Sequence, residues 1–359
     1  MTPAPATPVV HVDKSHAAKD APYALSLARS PVPRFVAFDA RFIRDVIGPE
    51  TDSPQLTLIE KRSYQFAHEA GVYIKPTNSV YFTANFQTCD PIELYAINCD
   101  THEISKLDYP DVVQANGACN FDDKVLYCAQ GDLSRPSGLV LVDPVTGRAE
   151  TLINNFQGRH FNSVNDVVVH HGTGDIWFTD PTYGYAQAFR PSPELPAQVY
   201  RFRPSTGECV VVADGFEMCN GLCFSPDYSR MYITDTGAIQ AHNGPGDGHQ
   251  LFADPRKPAS IYVYDVVDDG TRLGHRRTFA YCDTGVPDGI KCDENGYVYS
   301  GCGDGVHVWD SQGILLGKII VGGITANFNF VRGGIWMFAE EELWFCKLKA
   351  KGALVDIEC

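Results

Sequence analysis

Short apolar runs that mix β-branched with aromatic side chains recur along the chain: "SVYFTA" from 79, "KVLYCA" from 124, "DIWFTD" from 175, "RMYITD" from 230, "YVYSGC" from 297 and "GIWMFA" from 334. Each follows a turn built from Gly, Asn, Asp, Pro or Thr. Each is followed at short distance by a second run, "ELYAIN", "GLVLVD", "QVYRFR", "SIYVYD", "GVHVWD" and "ELWFCK" in turn. In three units a further strand follows, "AETLIN", "CVVVAD" and "RRTFAY". Runs of this length bounded by turn residues predict buried strands, and no convincing 3.6-residue period competes with them. Four strands per unit, recurring six times, predict an all-β chain folded as a six-bladed propeller. A β-sandwich would not require six similar units.

The first fifty residues, Pro-rich early, read as an extended arm, and 51–359 as a single propeller domain. "QLTLIEKR" (55–62) is the candidate outer strand that closes the ring. The spacing widens at "PTYGYAQAFRPSPELPA" (181–197) and "GAIQAHNGPGDGHQLFADPRKPA" (237–259), which predicts two long loops, either walls of a site or plain surface insertions. With 359 residues, 44% of them hydrophobic, a sizeable core is available. The net charge of −15, without any Lys/Arg cluster, argues against nucleic acid or an anionic membrane as partner. No apolar run is long enough for a membrane span, and the first thirty residues lack the pattern of a signal peptide. The expectation is a soluble protein, cytoplasmic as written, or secreted if a leader was removed. Oligomeric state is not legible. Twelve cysteines without a C-x-x-C pair argue against a structural zinc site. Cys128, Cys223, Cys292, Cys302 and Cys346 lie in apolar runs and read as buried thiols, with a disulfide or two as the alternative.

Shortly before each of the six runs stands an acid or amide: Glu69, Asn116, Asn165, Asn220, Asp288 and Asn327. In a propeller the first strand of each blade lines the central channel, so these side chains converge on the axis. Oxygen donors without His or Cys favour a hard cation: Ca²⁺ first, then Mg²⁺ or Mn²⁺, over Zn²⁺. The competing reading is that each caps a turn. By charge, Glu69 and Asp288 with neutral Asn165 and Asn220 balance a divalent ion, and Asn116 and Asn327 then face substrate. If the strand alternates, Asp166 points the other way, to a second ion or a turn cap.

At these residues the sequence resembles the regucalcin/gluconolactonase family of calcium-dependent propellers and, more distantly, the paraoxonases. The resemblance is carried by "HEAGVY", "RHFNSVNDVVV", "DIWFTDPTYG", "NGLCFSPD", "MYITDTG" and "PDGIKCDENGYVYSGCGDGVHVW". "GYAQAFRP", "QVYRF", "RTFAY" and "GCGDGVHVW" resemble the fungal lactonohydrolase branch. The resemblance implies that Glu69, Asn165, Asn220 and Asp288 bind a catalytic metal, Ca²⁺ with Mg²⁺, Mn²⁺ or Zn²⁺ as alternatives. It also implies that Asp288 is the acid/base and that the partner is a small lactone such as an aldonolactone or D-pantolactone. The stretch "RHFNSVND" is longer than the family's compact form, so no substrate role passes to Arg159; Asn162 shares that edge, and Tyr183 joins from the first long loop. His68 and His307 are alternative proton carriers, or else structural. No G-x-S-x-G elbow is present, and "GCGDG" lies between strands without the helix of a dinucleotide site. Two other functions stay open: an esterase for aryl or macrocyclic lactones, and a non-catalytic calcium-binding propeller.

Overall fold

The structure, a computed structural model, describes residues 7–23, 32–49, 55–87, 90–244 and 248–354. Its sheets form the six blades that the repeat predicts. Blade 1 comprises Glu69–Ile74, Ser79–Thr83, Leu94–Asn98 and Ile104–Leu107, and blade 2 comprises Ala115–Phe121, Lys124–Ala129, Gly138–Val142 and Ala149–Ile153. Blade 3 comprises Val167–His170, Asp175–Asp180, Gln198–Arg203 and Glu208–Ala213, and blade 4 Cys219–Phe224, Arg230–Asp235, Ser260–Val267 and Arg272–Tyr281. Blade 5 is built from Ile290–Cys292, Val298–Cys302, Gly305–Trp309 and Leu315–Ile320. Blade 6 takes Asn327–Val331, Gly334–Ala339 and Glu342–Lys347 from the end of the chain and Leu56–Lys61 from near its start. Leu56 pairs with Cys346 and Lys61 with Glu342, so the ring is closed by strand pairing, as "QLTLIEKR" suggested.

The middle strands are apolar on both faces because each sheet packs against a neighbour on either side. At the seam of blades 1 and 6, the fully buried Phe82 stacks between Tyr95 and Phe338, with ring centroids 5.5 and 5.2 Å away. Burying one such ring contributes roughly 1.5–3 kcal/mol.

Residues near the start do more than extend outward. Arg34–Ala37 pairs antiparallel with Leu315–Ile320, and Val9–His11 adds beyond it in parallel, so blade 5 becomes a six-stranded sheet. A single helical turn, Phe42–Ile47, places the Phe42 ring against Gly317, where a Cβ would stand 2.3 Å from the ring. Gly317 and Lys318 interrupt "LLGKII", which is why that outer strand escaped the pattern. The first long loop carries the short helix Tyr183–Ala186 and is pinned by Arg190. This buried guanidinium donates to the carbonyl oxygens of Asn162, Phe161, Asp132 and Arg135 at 2.7–3.0 Å. The second long loop is a hairpin, Ile239–Gly244 with Gly248–Ala253. Among the described residues no helix is long and apolar enough to cross a membrane.

Blade 3 is braced by Asp175, fully buried, which accepts from Arg201 Nη1 at 2.7 Å and from Arg203 Nε and Nη2 at 2.7 and 2.8 Å. Asp175→Ala leaves the buried Arg201 without its main counter-charge. The expected cost is about 3–5 kcal/mol, read as a lower urea midpoint with an unchanged slope.

Candidate functional site

The runs that reveal the repeat also build the site, through two residues at their ends. In blades 3 and 4 the run ends Thr-Asp. Thr179 Oγ1 donates across the seam to the Asn220 carbonyl (2.7 Å), and Thr234 Oγ1 to the Asp288 carbonyl (2.9 Å). Thr83 of blade 1 reaches the Asn116 carbonyl at 3.3 Å. The aspartates turn back to their own blades. Asp180 accepts from the backbone N–H groups of Asn162 and Ser163 at 2.9 Å each, and Asp235 from Glu217, Met218 and Gly237 at 3.0–3.1 Å. Thr fixes the next blade's convergent residue, and Asp fixes the loop leading into its own.

A glycine follows three of these residues, and each is sterically required. A Cβ on Gly117 would stand 2.5 Å from the Asn165 oxygen, one on Gly221 2.5 Å from the Asp288 oxygen, and one on Gly289 2.4 Å from Asn327 Cγ.

Glu69, Asn220 and Asp288 are thereby brought together, Asp288 bonding both of the others, and Asn165 is buried at the start of the neighbouring blade 3. Asn165 Oδ1 and Asp288 Oδ1 are buried oxygens without a hydrogen-bond partner. Burial pushes the Asp288 carboxyl up to about 7, helped by the charges of Glu340 and Asp166 and opposed by bonds from Glu69 and Asn220. Glu69 is driven well above the usual carboxylate range, by burial first and then by Asp288. Two carboxyls resisting ionisation beside orphaned oxygens form a donor set that fits a divalent cation.

Around them, the Tyr183 hydroxyl bonds Thr236 and accepts from Asn220 Nδ2 at 3.3 Å. Asn116 also reaches the axis, where Nδ2 donates to the Asn165 carbonyl at 3.2 Å. His68 Nδ1 lies 2.8 Å from Glu340 Oε1, and Asn85 Nδ2 donates to Glu340 Oε2 at 3.1 Å. Burial alone would lower the imidazole, yet the Glu340 carboxylate raises it to about 9, so His68 is held protonated.

Two expectations are corrected. Asn327 does not face substrate: it is fully buried, Nδ2 donates to Glu69 Oε2 at 2.8 Å, and Oδ1 accepts from Phe328 N at 2.8 Å. It holds Glu69 in place. His307 lies on the third strand of blade 5, bonded through Nε2 to Asp304 Oδ1 at 2.6 Å, with Asp283, Cys282 and Lys318 as its other polar neighbours. A residue on the third strand is displaced from the axis. Asn162 spends Nδ2 on the Asp180 and Pro196 carbonyls, while its Oδ1 is buried without a hydrogen-bond partner. Arg159 is exposed. Asp166 does point the other way. Its Oδ1 accepts from Val167 N and its Oδ2 from Leu222 N, at the wall of a 650 Å³ cavity that also takes in Lys291 and Asn329 and runs toward the opposite face.

Asn85 and Glu340 were missed. Both stand one residue beyond an aligned run, "SVYFTA" and "GIWMFA", so a register comparison of blades 1 and 6 would have exposed them.

Together the six sheets and the oxygen-donor cluster define a six-bladed propeller with a polar axial site. The chain belongs to the SMP-30/gluconolactonase/LRE-like family, whose model matches residues 68–242 and 238–334. Lactonohydrolase oryL of Aspergillus oryzae (strain ATCC 42149 / RIB 40) is 34% identical over 86% of this chain and 71% of its own length. A gluconolactonase of Xanthomonas campestris, 25% identical, superposes with a TM-score of 0.68 over 89% of this chain and 99% of that one. The calcium-binding protein regucalcin of Agrobacterium tumefaciens shares the fold, with a TM-score of 0.62 at 15% identity over 82% of this chain and 94% of its own.

Thr234→Val removes the hydroxyl that bonds the Asp288 carbonyl while keeping its shape. A loss of about 0.5–1.5 kcal/mol in thermal unfolding is expected. Gly221→Ala, which forces the same carbonyl away, is expected to cost more.

Proposed function

We propose that the chain is a lactonase, dependent on a divalent cation held by Glu69, Asn165, Asn220 and Asp288, that hydrolyses sugar-type 1,4- or 1,5-lactones to hydroxy acids. The observation that carries this reading is the pair of orphaned buried oxygens, Asn165 Oδ1 and Asp288 Oδ1, beside two carboxyls whose charge burial opposes. Donors that are all oxygen favour Ca²⁺, with Mg²⁺, Mn²⁺ and Zn²⁺ as alternatives. The lactone class is supported by the relatives, one named a lactonohydrolase and another a gluconolactonase.

A cation bound here supplies Lewis-acid polarisation of the ester carbonyl. The chain supplies the proton inventory. Asp288 takes the proton of the attacking water as the new C–O bond forms, and His68, kept charged by Glu340, gives one to the ring oxygen as the ester bond breaks. Asn327 orients Glu69, and Tyr183 orients Asn220. A second reading, toward aryl or macrocyclic lactones, is favoured by the Phe86 and Phe189 rings, 6.0 Å apart between blade 1 and the first long loop, and by the exposed Tyr185.

Acid release followed by pH-stat tests both readings, on D-pantolactone, glucono- and galactonolactone and a phenolic lactone, with protein stripped by EDTA and resupplied with Ca²⁺. Turnover that disappears with the chelator and returns with Ca²⁺ is expected, and the substrate ranking separates sugar from aryl preference. Absent turnover with a calcium-dependent rise in melting temperature would make the protein a non-catalytic binding propeller.

Asp288→Asn keeps the size of the side chain but neither its charge nor its basicity. A fall in kcat of about 10²-fold or more is expected, together with a smaller calcium-dependent rise in melting temperature.

A further inference from the structure

A second cluster lies outside the axial site, where the end of blade 4 meets blade 5. Cys282 directly follows the outer strand of blade 4, Cys302 ends the second strand of blade 5, and His307 sits on the third. All three are about 1% exposed, and the two sulfurs and a ring nitrogen of His307 lie within 4.8 Å of one another. Two of them lie on strands of blade 5 and the third on the loop after the outer strand of blade 4, and nineteen residues separate Cys282 from Cys302, too many for a compact metal-binding motif.

The histidine is already set as a ligand. Nε2 bonds Asp304 Oδ1 at 2.6 Å, which fixes the ring orientation; burial lowers the imidazole, but Asp304 and Cys282 raise it overall, so Nδ1 becomes a ligand atom when a cation displaces its proton. Nδ1 is buried without a hydrogen-bond partner, with the Asp283 carboxylate 3.7 Å away. Asp283 is 59% exposed in its side chain and held by Lys318 Nζ at 2.6 and 2.8 Å, so the cluster has one face to solvent. The Cys282 thiol is drawn down to about 5, chiefly by the Cys302 hydrogen bond and, against burial, by His307; Cys302 goes well up.

We propose that Cys282, Cys302 and His307 Nδ1, with Asp283 as fourth donor, form a tetrahedral site for a zinc-class cation. Bonds of about 2.3 Å to sulfur and about 2.0 Å to nitrogen fit inside the observed spacing. Two thiolates select a softer ion than the all-oxygen axial site does. Loading releases the Cys302 and Nδ1 protons to solvent. A Cys-His-Asp nucleophile is disfavoured because neither sulfur is open to a substrate, and a Cys282–Cys302 disulfide would leave His307 Nδ1 unpartnered. A bound ion would staple blade 4 to blade 5 at the root of the segment that leads to Asp288.

The test uses the full chain, stripped of metal under reducing conditions and then given Zn²⁺ or Co²⁺ in excess Ca²⁺. One tightly held zinc per chain by elemental analysis is expected, together with thiolate-to-cobalt charge transfer and the strong visible bands of tetrahedral cobalt. Slow thiol labelling of the folded apo chain through local opening should reach Cys282 and Cys302, stop on zinc loading and resume with chelator. Cys302→Ser and His307→Gln should abolish the charge-transfer signature or the zinc equivalent, Asp304→Asn should weaken binding about 10–100-fold, and Cys128→Ser should change neither. Zinc displaced by Ca²⁺, cobalt spectra without thiolate bands, or two thiols recovered only by a reductant would each overturn the proposal. Should the variants fail to fold, the wild-type cobalt spectrum and thiol labelling decide alone.

Discussion

Inner strands of adjacent blades approach so closely at the axis that the residue after a convergent side chain has no room for a Cβ. Gly117, Gly221 and Gly289 each accept the next blade's backbone or side chain in the space where their own would be. The threonines then lock that contact from the second strand, Thr179 onto Asn220 and Thr234 onto Asp288. Ligand position is therefore a property of the seams between blades. No blade sets its own convergent residue alone, and a side chain one methyl larger at the seam would displace an oxygen that the site depends on.

That geometry gathers Glu69, Asp288, Glu340 and Asp166 within electrostatic reach of one another, away from water. Burial opposes ionisation of Glu69, Asp288 and Asp166, and neighbouring carboxylates add to it at Glu69 and Asp288; His68 is the cation set directly against Glu340 and close to Glu69. A fold that accumulates carboxylates here, and builds Asn327 to hold one of them, carries an electrostatic debt that a divalent ion at the axis would cancel. The same logic gives Asp166 a different task. Bonded to backbone N–H groups of blades 3 and 4, it ties one seam on the far side of the channel.

What the sequence disclosed follows from repetition. Six second strands share an apolar run, and a convergent residue stands seven to ten positions before each, so both were legible without coordinates. Elements that break the repeat were not. Ile104–Leu107 is a short strand whose two middle residues are exposed, and "LLGKII" carries a glycine reserved for the Phe42 ring. Residues that take their meaning from a distant partner were hidden as well. Asn327 occupies the expected register, yet Glu69 beside it across the closing seam makes it a support rather than a contact for substrate. His307 looked like a proton carrier in "GDGVHVW", and only the fold reveals that Cys282 and Cys302 surround it.

Blade 6 unites Leu56–Lys61 with strands from the opposite end of the chain. Glu69 follows that closing strand almost at once, whereas Asp288 arrives about four-fifths of the way along. The two carboxyls, in blades 1 and 5, therefore meet across the axis only when blade 6 is completed between them. An unfinished or opened ring would keep most of its sheets while lacking the site entirely, which makes the chemistry at the axis a report on whether the whole circle has been completed.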